Sequence, residues 1–320
     1  MKQAVLVMAY GGPDSLDDIE PYLLDIRGGR PTSPELIAEI RERYVKIGGK
    51  SPLLDITSAQ ASVLEQCLNA LSPSGDGTPD YGVYVGMRHW KPYIRETMAR
   101  IAMDGYQAGI AFCMAPHASR MSTGAYLQKL REAQALLPSP LDMDFIESWY
   151  DQPFLIRSLA KKVRSAVEKF PLNSRPEIHY LFTAHSLPAS LKEQCDPYAD
   201  QLEQTARLLA LELGLSSDQW TFGYQSAGAA PVQWLGASIE EILPEFASRE
   251  LRNVLVTPVG FMADHVEILF DLDIEAQEIA REQGIRLIRS ESLNATSDFI
   301  EGLAKFILEK STAGKNGLKS

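Results

Sequence analysis

The stretch VLVMAYGGP, residues 5–13, decides the fold when it is set beside IHYLFTAHSLP, residues 178–188. Each is an apolar run that passes into a polar turn closed by proline. A short unbroken apolar run, rather than an alternating one, suits a strand covered on both faces, as in a parallel sheet. Similar runs stand at 81–85, 109–114, 220–222 and 254–259. Between them, apolar residues recur at helical spacing over 58–71, 93–103, 125–137, 156–170, 200–213, 239–248 and 267–283. Strands alternating with helices predict an α/β fold with crossover helices.

The order of elements recurs. Each half opens with a strand and a Pro-closed loop, continues through a helix to a strand ending near Gly86 or Gly223, and reaches a strand that delivers polar residues, at His117 or His265. Two similar Rossmann-like lobes are expected, 1–150 and 151–310, joined near 148–153, with a surface turn at 71–80 and a frayed tail at 311–320. Sheets of this kind bind ligands at the carboxyl ends of their strands, so a cleft between the lobes would collect residues from those ends.

Composition narrows the function. Of 320 residues, 45% are hydrophobic and 23% charged, which excludes a disordered chain. Lys plus Arg is 31 against 42 for Asp plus Glu, a net charge of −11, so general nucleic-acid binding is disfavoured and any anion must meet a local group of arginines. The three cysteines, Cys67, Cys113 and Cys195, are dispersed and form no CxxC, which argues against disulfides, thiolate zinc and iron–sulfur clusters. The apolar start halts at Gly11 and no run is long enough for a membrane span, so a cytoplasmic protein is expected. GxGxxG after the first strand, GxxxxGK[ST] and GxSxG are absent, which removes support for dinucleotide, P-loop and serine-hydrolase chemistry.

Five histidines can be weighed singly. His179 sits within a strand run and reads as structural. His89, His117, His185 and His265 follow strands and could line a cleft, His185 most of all because the turn Ser186-Leu187-Pro188 follows it. Glu267, Asp271 and Glu275 are spaced i, i+4, i+8, on one face of a helix if the helix is regular. No Lys or Arg occurs between Asp264 and Ala280 to offset them. Such a ladder suits a cation route or a proton relay, and with His185 a site for a divalent ion such as iron(II); a solvated acidic face is the plainer alternative. Arg27, Arg30, Arg41, Arg43 and Arg88 are the candidate anion binders, with Gly-rich turns at 27–30 and 47–52.

At this point the sequence resembles the ferrochelatase family, over 5–308. The matching stretches are VLVMAYGGP (5–13), DIEPYLLDIRGGR (18–30), RYVKIGGKSPL (43–53), YVGMRHWKP (84–92), TAHSLP (183–188), DPYADQL (196–202), GYQSAGAAPVQWLG (223–236) and GFMADHVEILFDLDIE (260–275). Tyr10, the APH at 115–117 and the lack of a C-terminal cysteine cluster are similar to the short bacterial branch that acts on coproporphyrin III.

The resemblance implies a chelatase fold and an enzyme of heme biosynthesis that inserts Fe(II) into a porphyrin. It implies that His185 and Glu267 flank the iron, with Asp271 and Glu275 extending the acidic path. Tyr10 would face the other side of the macrocycle, and Arg27, Arg43, Tyr44, Ser51 and Tyr126 would hold the porphyrin and its propionates. It further implies iron as substrate, no resident cofactor and no iron–sulfur cluster, with a heme-acceptor protein as a transient partner. Gly28 stands where relatives often carry a second Arg, and Ala227, Ala229 and Ala230 where they often carry polar residues; both bear on substrate preference. Open at this stage are whether His185 is base or metal ligand, whether protoporphyrin IX is the ring, and two rivals: a non-catalytic tetrapyrrole carrier and a chelatase for another metal and ring.

Overall fold

Strand β1 (Gln3–Ala9) is buried from Ala4 to Ala9, as its unbroken apolar run requires. It hydrogen-bonds in parallel to β2 (Tyr81–Met87) on one side and β3 (Ala108–Cys113) on the other, and β4 (Asp142–Ile146) extends the sheet from β3. The second sheet repeats this plan. Strand β5 (Ile178–His185) lies between β6 (Trp220–Ser226) and β7 (Asn253–Pro258), with β8 (Arg286–Arg289) outside β7. The orders β2-β1-β3-β4 and β6-β5-β7-β8 correspond strand for strand, so the doubled α/β organisation read from the sequence is present. The structure, a computed structural model, describes residues 2–72, 81–227 and 232–317, with side chains to 311. Most of the expected turn at 71–80, and Ala229 and Ala230, lie outside these residues.

Each sheet is covered by helices that bury an apolar stripe. In the first unit Ile94, Met98 and Ile101 of one helix and Tyr126, Leu130 and Ala133 of another pack with Leu6, Met8 and Ala111 of the sheet. In the second, Ile239, Ile242, Leu243 and Phe246 pack with Leu181, Val254 and Val256. The helix Ile239–Ser248 is announced by a capping box, in which the Ser238 amide donates to the Glu241 carboxylate at 3.0 Å.

The domain boundaries need correction. The chain forms two compact units, Met1–Pro116 with Arg120–Trp149 and Asn294–Ser320, and His117–Ser119 with Tyr150–Leu293. The second lobe therefore ends at Leu293 and not at 310. The cause is the helix Ser297–Gly317, which buries Phe299, Ile300, Leu303, Ala304 and Ile307 and packs on the helix Leu53–Leu71 of the first unit. Phe299 also stacks on Trp149, with ring centroids 6.2 Å apart. The segment expected to be frayed from 311 continues this helix to Gly317.

Strands β4 and β8 escape the sequence reading because both are sheet edges and carry charge, Asp142 and Asp144 in one, Arg286 and Arg289 in the other. The helix Pro34–Lys46 escapes because Tyr44 is its only buried residue, which leaves almost no apolar stripe to detect.

Two histidines belong to this framework. His117, expected to line a cleft, is 2% exposed and its Nε2 lies 2.8 Å from Thr205 Oγ1. His179 is 3% exposed and bonds Thr221 Oγ1 at 2.9 Å. Burial lowers the His117 pKa to about 3. Burial, assisted by the Arg249 charge, lowers that of His179 to about 4. In the unfolded chain both would titrate near 6.5, so between those limits the unfolded state binds more protons and stability falls with acidification. Urea unfolding is expected to lose up to about 3 kcal/mol per pH unit below pH 6, since each unit is worth ~1.4 kcal/mol per histidine. His117→Asn should flatten that slope by about half. A stability that is level from pH 7 to pH 5 would contradict this reading.

Candidate active site

In the second unit the chemistry gathers at the carboxyl ends of adjacent parallel strands. His185 is the last residue of β5, and the segment after β7 carries His265 and Glu267. His185 Nδ1 lies 2.9 Å from Glu267 Oε2, and the two side chains are 26% and 33% exposed. For Glu267, burial pushes the pKa up, but the His185 charge and hydrogen bond, with His265 behind them, hold the carboxyl well below the usual range. For His185, burial works against the imidazolium, but the Glu267 charge and hydrogen bond, with the Asp271 charge, leave its pKa raised. The ionised carboxylate makes Nδ1 the donor. His185 Nε2 has no hydrogen-bond partner among the described residues and is left as the basic nitrogen.

The surroundings fix this pair. Pairing between β5 and β6 slips at one point: Ala184 faces Tyr224, and His185 faces Ser226. Gln225 is the extra residue of this bulge, a device that re-aims side chains at strand ends. It is 2% exposed. Its Nε2 donates to the Glu267 carbonyl at 2.7 Å, and its Oε1 accepts from Thr183 Oγ1 at 2.7 Å. The Tyr198 hydroxyl donates to the His185 carbonyl at 3.0 Å. His265 caps the helix Val266–Leu269 in an extended conformation, which turns its ring back towards the carboxylate two residues on. Its Nδ1 faces the Ala263 carbonyl at 3.0 Å and must donate, and its Nε2 stands 3.8 Å from Glu267 Oε2.

The acidic ladder differs from the regular helix expected of it. After Val266–Leu269 the chain makes a π-helical turn, Asp271–Glu275, in which the amides of Ile274 and Glu275 both bond the Phe270 carbonyl at 3.0 Å. Asp271 is buried and accepts from the Ser226 hydroxyl. Among the described residues no three His, Cys, Asp or Glu side chains are grouped to hold a metal ion. The expected metal set of His185, Glu267, Asp271 and Glu275 is thus not assembled as one shell, because Glu267 is engaged by His185 and Asp271 by Ser226.

The first unit carries the other candidates around the loop after β1. Gly11 has φ +94°, and a Cβ there would come within 2.9 Å of the Trp90 backbone. A Cβ on Gly12 would come within 2.5 Å of Ser51 Oγ and 3.8 Å of the Tyr44 hydroxyl. This close approach seats the 10–13 loop against Tyr44 and Ser51, both buried. Tyr10 is 40% exposed, with its ring 4.7 Å from that of His89. His89 Nδ1 bonds Asp25 Oδ1 at 2.7 Å.

The Arg88 guanidinium lies 5.8 Å from the Tyr10 ring and 5.5 Å from the ring of Tyr126, which is 4% exposed. Arg43 is half-buried and pairs with Glu39 at 3.2 Å. Arg41 is taken up by Asp17 and the Leu16 carbonyl. Arg27 is exposed and its guanidinium has no partner among the described residues; Arg30 bonds the Arg27 carbonyl. Tyr10, Arg88, His89 and Tyr126 thus form one group, and Gly12, Tyr44 and Ser51 another. Arg27 belongs to neither. The roles of Gln225 and Ser226 could not be read from spacing, since a bulge leaves no sequence mark. His265 could have been, from its place two residues before Glu267.

A family model described as Ferrochelatase matches residues 2–311. "Ferrochelatase" of Deinococcus radiodurans is 41% identical over 306 residues, covering 96% of this chain and 95% of that protein. "Coproporphyrin III ferrochelatase" of Bacillus subtilis is 36% identical over 310 residues, covering 97% and 98%. Among solved structures, the sirohydrochlorin chelatase SirB from Bacillus subtilis subspecies spizizenii, in complex with cobalt, aligns with a TM-score of 0.53 at 12% identity, over 99% of this chain and 98% of that one. That likeness is one of fold.

If Glu267 keeps His185 basic, Glu267→Gln must leave burial to dominate. The imidazole pKa of His185, followed by NMR, should fall below the ordinary 6.5 in that variant. A value as high as in the unchanged protein would remove Glu267 as the cause.

Proposed function

Because the chain belongs to the ferrochelatase family, we propose that it inserts Fe(II) into coproporphyrin III in heme biosynthesis, with release of two protons from the ring's pyrrole nitrogens. Insertion of iron into a porphyrin is the family's reaction; the choice of ring is the finer proposal. The observation that carries the chemistry is the contact between His185 and Glu267. A porphyrin gives up its inner protons reluctantly, and a planar ring crowds its nitrogens. Bending the ring exposes a lone pair, and a base near neutral pKa then takes the proton.

His185 suits that base. Glu267 accepts from Nδ1, Nε2 is the open nitrogen, and the carboxylate stabilises the imidazolium formed. Glu267 and Asp271 are also the candidates to guide the dication, with Glu275 beyond them. A tetrapyrrole carrier would need the anchors but no base, so this pair favours the enzyme. On the first unit Tyr10, Tyr44, Ser51 and Tyr126 are the proposed porphyrin contacts, and Arg27 and Arg43 the propionate anchors.

Coproporphyrin III carries propionates where protoporphyrin IX carries vinyl groups, so it asks for more cations. The Arg27 guanidinium, which has no partner among the described residues, on a chain with net charge −11, supports that choice. So do relatives described as coproporphyrin III ferrochelatases. The same proposal makes the protein cytoplasmic, without a resident cofactor or iron–sulfur cluster, and delivering its product to a transient acceptor protein. No helix among the described residues is long and apolar enough to cross a membrane.

An anaerobic Fe(II) insertion assay comparing the two rings tests this. We expect kcat/KM at least tenfold higher for coproporphyrin III; the reverse preference would reassign the ring, and no insertion into either would overturn the enzyme. Arg43→Ala should raise the porphyrin KM several-fold with little change in kcat, and a pure kcat effect would remove it as an anchor. Glu267→Gln should lower kcat by about 10²-fold or more.

A further inference from the structure

One buried cation grips the active-site acidic segment at two points and takes no part in the site itself. The Arg289 side chain, at the end of β8, is 14% exposed. Its Nε and Nη2 donate to Asp273 Oδ1 and Oδ2 at 2.6 and 2.8 Å, a two-pronged contact with the middle of the π-helical turn. Its Nη1 donates to the Ser290 carbonyl at 3.1 Å and lies 3.4 Å from Asp264 Oδ1. Asp264 also accepts from Ser292 Oγ at 2.6 Å. Asp264 directly precedes His265, and Asp273 lies between Asp271 and Glu275. His265, Glu267 and Asp271 are thus strung between two carboxylates held by a single guanidinium, and Glu275 follows two residues beyond the second.

The π-helical turn is a rare and locally unfavourable geometry that needs outside support. Its effect here is on direction. Along a regular helix each residue turns about 100°, so carboxylates at i, i+4 and i+8 drift by about 40° per step. One extra residue taken up in the turn brings the third back to within about 20° of the first. The π-turn therefore returns Glu275 closer to the face of Glu267 than a regular α-helix would. A planar guanidinium fixes both distance and orientation of the carboxylate it grips, which a lysine cannot do. A buried ion pair is poor evidence of stability, since apolar replacements are often as stable. Its geometry is what distinguishes it.

We propose that Arg289 is a positioning residue for metal delivery: it clamps Asp264 and Asp273 and thereby holds the π-turn that sets the directions of Glu267, Asp271 and Glu275 relative to one another. This rests on the reading of those carboxylates as the path of the iron.

The test uses the full chain and two variants, Arg289→Lys and the double variant Arg289→Met with Asp273→Asn. The second removes both members of the principal pair, so neither is left buried and charged without the other. Anaerobic insertion is measured with Fe(II) varied at saturating porphyrin and the reverse, and backbone amide exchange is followed at Ile274 and Glu275. In both variants the KM for Fe(II) should rise tenfold or more while the porphyrin KM stays within twofold, and the two amides should exchange at least tenfold faster. An Fe(II) KM within twofold of the unchanged protein, or a porphyrin KM that rises in step, overturns the proposal. If the unchanged protein inserts no iron, the enzymatic reading fails on its own; amide exchange then decides the clamp, and unaltered protection overturns it.

Discussion

The hydrogen bond between His185 and Glu267 is the interaction on which the second unit's candidate site depends. The two residues are 82 positions apart and meet because β5 and β7 are parallel neighbours whose carboxyl ends lie side by side. Burial alone would neutralise both groups, making the carboxyl a weak acid and the imidazole a weak base. Together they reverse that tendency: the carboxylate stays ionised and the imidazole becomes more basic. The proposed proton transfer depends on this geometry being fixed. The bulge at Gln225, the Thr183–Gln225–Glu267 chain and the Tyr198 hydroxyl all act on the backbone of one partner or the other.

The first unit solves a different problem by different means. On the proposed function, a strongly acidic chain must offer an anionic ring a local positive field. Arg27 supplies a guanidinium without a partner among the described residues, whereas Arg43 is partly committed to Glu39 and Arg88 to aromatic faces and the Met121 carbonyl. The exposed Tyr10 ring is supported from behind by His89, itself held by Asp25, where burial pulls the imidazole pKa down although the hydrogen bond to Asp25 opposes it. On the proposed function the anchors belong to one unit and the base to the other, each built on a sheet of the same plan.

Much of this was legible in the sequence because the interior strands are unbroken apolar runs and their ends carry the polar residues. Histidine and acid could be paired by placing both just after such runs. What escaped had a common cause: it depends on contacts distant in the chain or on backbone irregularity. The edge strands break their apolar runs with charge, at Asp142 and Asp144 in β4 and at both ends of β8, so they lack the signature of a buried strand. The C-terminal helix has a clear apolar stripe at Phe299, Ile300, Leu303, Ala304 and Ile307, but nothing in the stripe says that it belongs to the first unit. The spacing of Glu267, Asp271 and Glu275 suggested a regular helix; the π-turn that replaces it is stabilised from β8, by an arginine no local pattern would connect to it.

The central claim is that the imidazole of His185 removes the pyrrole protons, and chemical rescue tests it most directly. In His185→Ala, porphyrin should still bind while iron insertion is lost, and added imidazole should restore insertion in proportion to its neutral form. Insertion at the unchanged rate in the variant without imidazole would contradict the account.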